Sequence, residues 1–211
     1  MRTPRRLAAN AIVIAVALAA SGAPAAAAAP VDLATLVASW PASFRVSGVK
    51  TEPTYLETLD IARNGDVFSV LGGAPAFAER SLESVRVDAA GKIAWISCPA
   101  PMDCTTPGPP SGFLATAAAV AAWRKGTLGG SATPVAFGAR TVVCIPAEKL
   151  GVTAPILDPC FDQKTGAVLA QRHRLSGAFD GPTLEASTLK IAAPEPRVLS
   201  ATLPKTMEST E

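Results

Sequence analysis

The chain has 211 residues, 49% hydrophobic and 17% charged, with 19 Lys and Arg against 17 Asp and Glu and a single histidine. The formal net charge of +2 says nothing for nucleic acid, and without a long basic run no nucleic-acid partner is expected. No second apolar stretch beyond the N-terminus is long enough to cross a bilayer as a helix.

Arg2, Arg5 and Arg6 give a positively charged start, and Leu7–Ala20 is mainly apolar around Ile12, Val13, Ile14, Val16 and Leu18. Small residues fill Ser21–Ala29. This pattern predicts a signal peptide over residues 1–29, with an uncleaved membrane anchor as the alternative. Ala23-Pro24-Ala25 is one cleavage signal, and the alanine run after it offers others. No cysteine stands at the junction, so a lipid-modified N-terminus is not expected. Setting the leader aside leaves 16 basic against 17 acidic groups. The remainder, about 180 residues, suits one domain, residues 30–192, followed by a loosely held tail over residues 193–211. Export to the periplasm, cell wall or medium is expected.

Asp32 is placed to cap a short helix, Leu33–Trp40, whose Leu33, Leu36, Val37 and Trp40 make one apolar face before Pro41 stops it. A β-rich meander follows. Ser43–Val49 alternates through Phe44 and Val46, and Thr54–Arg63 carries Tyr55, Leu59 and Ile61. Asn64-Gly65 is a hairpin signal, with Val67–Leu71 as the returning strand. Leu82–Val87, the turn Asp88-Ala89-Ala90-Gly91 and Lys92–Ser97 continue the meander. No βαβ rhythm and no Gly-rich phosphate motif occurs.

Cys98–Gly112 holds five prolines and reads as a stiff loop. Ser111 is then placed to cap a helix over Phe113–Arg124, whose Phe113, Ala117, Val120 and Trp123 share a face. Its alanines fit a helix lying close to a sheet, whether with a cavity beneath it or close-packed. Thr141–Pro146 and Ala167–Leu175 read as strands around the polar turn Gln163–Gly166, and Thr183–Ile191 as the last strand.

The four cysteines, at 98, 104, 144 and 160, allow three pairings. Cys98–Cys104 and Cys144–Cys160 are preferred, because each closes a local loop marked by proline. The spacings Cys-x5-Cys and Cys-x15-Cys, without a CxxC pair or a histidine cluster, do not fit zinc. No metal and no cofactor is expected.

The SFRVSG strand, the Asn64-Gly65 hairpin, the WIS strand after a DAAGK turn and the late TVVCIP…CFDQKTGAVLAQR…TLEASTLK arrangement give the chain its resemblance. Over most of residues 31–192 it resembles the LolA/LppX-like periplasmic lipoprotein-carrier superfamily. The resemblance implies an α+β fold: a strongly curved antiparallel β half-barrel with helices packed against its concave face. It also implies an apolar interior that holds acyl chains, although members with signalling and structural roles exist. The expected function is an exported, non-catalytic binding or carrier protein for a lipid or other hydrophobic ligand. A cell-envelope structural or signal-sensing domain that contacts another protein is the alternative. By their apolarity and predicted placement, Trp40, Phe44, Tyr55, Phe68, Trp95, Phe113, Val120 and Trp123 are candidate ligand walls. His173 stands between Arg172 and Arg174 with no nucleophile and acid at triad spacing, and Asp158 and Asp162 suit loop capping, so no enzyme is expected.

Overall fold

Apolar residues alternate along the strands, and that alternation assembles two antiparallel sheets around one helix. The computed structural model describes residues 28–51, 56–73, 81–98, 108, 110–152, 157–180 and 190–192. Residues 1–27, where a signal peptide is expected, lie outside the described residues, as do Tyr55, Cys104, most of the proline-rich loop and residues 193–211.

β1 (Val31–Asp32) leads into α1 (Leu33–Ser39), and five strands follow: β2 (Ser43–Thr51), β3 (Leu56–Asn64), β4 (Val67–Gly73), β5 (Ser81–Val87) and β6 (Ile93–Ser97). A 3-10 turn, Gly112–Leu114, opens α2 (Ala115–Arg124). The second half contains β7 (Ser131–Ala132), β8 (Val135–Phe137), β9 (Arg140–Cys144), a 3-10 helix at Ala147–Leu150, β10 (Leu157–Asp162), β11 (Val168–His173), β12 (Phe179–Asp180) and β13 (Lys190–Ala192). One sheet runs β13-β2-β3-β4-β5-β6 and the other β12-β11-β10-β9-β8, both as antiparallel meanders, while β1 pairs with β7. The five-stranded sheet curls through 188°. The expected fold class, an antiparallel half-barrel with helices against it, is what forms.

Local chemistry accounts for the boundaries. Asp32 caps α1 by accepting from the Thr35 N–H at 2.8 Å, and this bond holds its carboxyl below the ordinary aspartate pKa. Trp40 is the C-cap of α1 rather than its last turn, with extended backbone at φ −67° and ψ 137°. The Asp88 carboxylate accepts from the N–H groups of Ala90 (2.9 Å) and Lys92 (2.8 Å), which fixes the turn between β5 and β6. Ser111 does not cap α2 through its side chain, contrary to the sequence expectation. Its carbonyl accepts from Leu114 N–H at 2.8 Å instead, and its hydroxyl lies beside Glu83.

α2 organises the interior. Every residue from Ala115 to Ala122 is buried, so the helix is apolar all round rather than amphipathic. It belongs to the same continuous core as Phe44, Val46, Leu59, Ile61, Phe68, Val85 and Val87 of one sheet and Val142, Val143, Phe161, Val168 and Leu169 of the other. The helix is close-packed, the second of the two sequence alternatives. At one end Arg124 donates to the carbonyls of Val87 (2.6 Å) and Asp88 (2.7 Å) and pairs with Asp66. On the other sheet's side, Thr116 Oγ1 donates to the Gly166 carbonyl at 2.6 Å.

The expected Cys144–Cys160 disulfide forms, between directly opposed residues of β9 and β10. Cys98 is disulfide-bonded as well, and the expectation for Cys104 lies outside the described residues. Between Cys144 and Cys160 the chain is fastened again where Asp158 accepts from Ala147 N–H at 3.0 Å. The Asp162 carboxylate accepts from the Thr165 N–H (2.9 Å) and hydroxyl (2.7 Å), which closes the next turn. Both aspartates therefore act as loop caps, as their spacing suggested.

Gly166 adopts φ +77°, and a Cβ there would overlap the Trp40 indole. Gly166→Ala is therefore expected to destabilise by about 2–4 kcal/mol, from left-handed backbone strain and overpacking together. Gly65→Ala, at φ +58° with open space around it, should cost only about 1 kcal/mol. Equal losses for the two variants in denaturant unfolding would contradict this packing. Replacing Cys144 and Cys160 together with serine should lower stability by about 3 kcal/mol at their separation of 16 residues, read from the denaturation midpoint.

Candidate ligand-binding site

Strand register arranges the core-facing side chains of the six-stranded sheet in rows. Phe44 pairs with Arg63, Arg63 with Phe68, Phe68 with Val85 and Val85 with Trp95. Three of the sequence-predicted wall residues, Phe44, Phe68 and Trp95, thus share one row across five strands. The next row is Val46–Ile61–Val70–Glu83, and the one beyond it begins Gly48–Leu59–Gly72.

The predicted residues differ in their surroundings. Phe44 and Phe68 are buried on the sheet side of the core, and Val120 is buried within α2 itself. Trp40 is buried on the other side of the helix layer, its ring centroid 5.2 Å from that of Phe161. Trp95 and Phe113 are half-buried and packed against the core. Trp123 is 37% exposed, so the helix face that the sequence drew through Val120 and Trp123 divides between core and solvent. Trp123 lies in the last turn of α2 and is exposed there, whereas Val120 one turn earlier is buried. Tyr55 lies outside the described residues.

Two charged residues that the sequence reading did not single out join these rows. Arg63 is buried, with its guanidinium 5.1 Å from the Phe68 ring centroid. It donates to the carbonyls of Gly65 (3.2 Å) and Pro41 (3.1 Å), and burial lowers its pKa from the ordinary arginine value. Glu83 is 7% exposed and ends the apolar Val46–Ile61–Val70 row. Burial raises its pKa, while the nearby Ser111 draws it partly back. Ser111 is close enough for that effect, yet neither Glu83 Oε1 nor Ser111 Oγ makes a directed hydrogen bond. The signal for Glu83 was present in the sequence, since it shares strand parity with Val85 and Val87.

Several charges elsewhere are engaged. Arg174 pairs with Glu148 and Asp158, each at 2.7 Å, and Arg172 Nε donates to the Gly177 carbonyl at 2.6 Å. The basic run around His173 therefore ties the β11 end to its neighbours. A polar cleft of about 340 Å³ is lined by Ala139, Arg140, Thr141, Asp162, Gln163 and Lys164. Arg140 and Asp162 form an ion pair at 3.2 Å within it.

Glu83 gives a pH signature. Its folded pKa lies above the ordinary value of 4.5, so the folded state takes up a proton more readily than the unfolded chain. Its contribution to stability is therefore lost as pH rises from about the unfolded value through the raised folded one. Glu83→Gln is expected to raise the melting temperature at pH 7, with an advantage that disappears as the pH approaches 4. A constant difference across that range would show that Glu83 carries no such burden.

Comparison of the chain with protein-family models, with curated proteins and with solved structures returned no match. What it shares with carrier folds is architecture: a curved antiparallel half-barrel with helices against its concave face.

Proposed function

We propose that this chain is an exported, non-catalytic binding protein for a lipid or other hydrophobic ligand, of the LolA/LppX-like carrier type, held here with its interior closed by α2. The observation that carries the reading is the pairing of a bulky apolar sheet face with an alanine helix. The sheet contributes Phe44, Leu59, Ile61, Phe68, Val70 and Val85, and the helix covering it contributes mostly methyl groups. Export rests on the arginine-led apolar leader and on cysteines joined in disulfides. An acyl chain entering between sheet and helix gains about 0.8 kcal/mol per buried methylene.

The filled interior favours a second reading, a cell-envelope structural or signal-sensing domain that contacts another protein. The two readings separate in one experiment. The exported protein, purified without detergent and extracted with organic solvent, should release an acyl-chain lipid detectable by mass spectrometry. It should also take up a fluorescent fatty amphiphile. No retained lipid and no uptake, with one envelope protein co-purifying, would replace the carrier reading with the second.

A further inference from the structure

Among the polar groups of the interior, several are fully engaged. Arg63 donates to two carbonyls, Thr116 donates to Gly166, and Asp162 is held by Thr165 and Arg140. Trp40 Nε1, Ser69 Oγ and Ser84 Oγ lack a partner, and so, on the core-facing side of the six-stranded sheet, do atoms of Glu83 and Ser111. Glu83 Oε1 and Ser111 Oγ are both inaccessible to water and both without a hydrogen-bond partner. They lie on facing elements, β5 and the entry to the helix that covers it. A buried carboxylate oxygen left unpaired costs about 1–3 kcal/mol or more, and such a group calls for a reason.

We propose that Glu83 and Ser111 form a receptor for the polar end of an amphiphile whose head donates a hydrogen bond, a long-chain alcohol or a protonated long-chain amine. This deepens the hydrophobic-ligand reading above and rests on it. An ionised carboxylate only accepts, whereas a serine hydroxyl both donates and accepts. A ligand hydroxyl completes both groups at once: it donates to Glu83 Oε1 and accepts from Ser111 Oγ. An ammonium donates to both. A fatty carboxylate brings a like charge and no donor, and an ester brings no donor.

The register also gives the chain of the ligand a course. From Glu83 the core-facing row runs through Val70, Ile61 and Val46, all buried and apolar. Beside it, Gly48 and Gly72 flank Leu59 and carry no side chains, so the adjoining row is low. An alkyl chain leaving the Glu83 head site therefore meets apolar walls over a floor with little bulk. The polar cleft at Arg140 offers no such path, since it is lined by polar and charged residues.

The test compares four probes of equal chain length on the purified protein: oleyl alcohol, oleylamine, oleate and methyl oleate, each displacing a fluorescent fatty amphiphile. The alcohol and the amine should bind roughly tenfold tighter than the methyl ester, and oleate weakest. Glu83→Leu should bring all four within about twofold of one another, from the loss of that one charged hydrogen bond. Ser111→Ala, at a half-buried position outside the core, should weaken the alcohol several-fold while circular dichroism stays unchanged. It decides the matter if Glu83→Leu does not fold. Equal binding of the four probes by the native chain, or a preference that survives the variants, overturns this head site and leaves the hydrophobic-ligand reading standing. Failure of all four probes to bind overturns both.

Discussion

The close approach of α2 to two sheets is the constraint on which the rest of this structure depends. A helix with Ala at 115, 117, 118, 119, 121 and 122 has a narrow cross-section, so its backbone can lie near both sheets at once. Each sheet then supplies the bulk that the helix lacks: Phe44, Phe68 and Val85 from one side, Phe161, Val168 and Leu169 from the other. A leucine-rich helix in the same place would force the sheets apart. Curvature and helix composition thus determine one another. Gly166 follows from the same geometry, because the turn after β10 must pass against Trp40, and only a residue without Cβ fits there.

The two ends of the covering helix are held unequally. At its C-terminal end, Arg124 meets two backbone carbonyls and Asp66, a charge suited to the negative end of the helix dipole. At its entry, Ser111 lies beside Glu83, but neither Ser111 Oγ nor Glu83 Oε1 is held by a directed hydrogen bond. The helix is therefore fastened at Arg124 and least satisfied above Glu83. If the interior opens, the physical expectation is a movement that begins at the Gly112–Leu114 turn and pivots about Arg124. Thr116, one turn into the helix, is the main polar restraint on such a motion, through its bond to the Gly166 carbonyl.

Much of this fold was legible in the sequence, and the reasons are local. Phe44 and Val46, Leu59 and Ile61, and Val85 and Val87 alternate as strand residues must when one face is buried. Asn64-Gly65 and the Asp88 turn mark hairpins through backbone chemistry that needs no tertiary context. The pairing of Cys144 with Cys160 follows from the short proline-marked loop between them. What was not legible depends on distant elements. Ser111 looks like a helix cap, but β5 places Glu83 beside it, and the helix entry becomes a 3-10 turn. Trp123 shares a helical stripe with Val120, but only the tertiary fold shows that one is exposed and the other buried. The short strands β1, β7, β8 and β12 carry too few residues for a period to show.

The relative size of the two apolar surfaces decides whether a closed interior is compatible with ligand binding. The six alanines of α2 contribute one methyl group each, about 5 kcal/mol at 0.8 kcal/mol per carbon, beside the larger buried side chains of Leu114 and Val120. The helix keeps its own backbone hydrogen bonds when it lifts, so that side of the exchange adds little. An alkyl chain of about a dozen methylenes laid on the same sheet gains roughly twice as much by the same measure. The sheet face, with its Phe, Ile, Leu and Val rows, serves either partner. A helix of alanines therefore gives up less apolar contact on lifting from the sheet than a helix of larger side chains in the same place would.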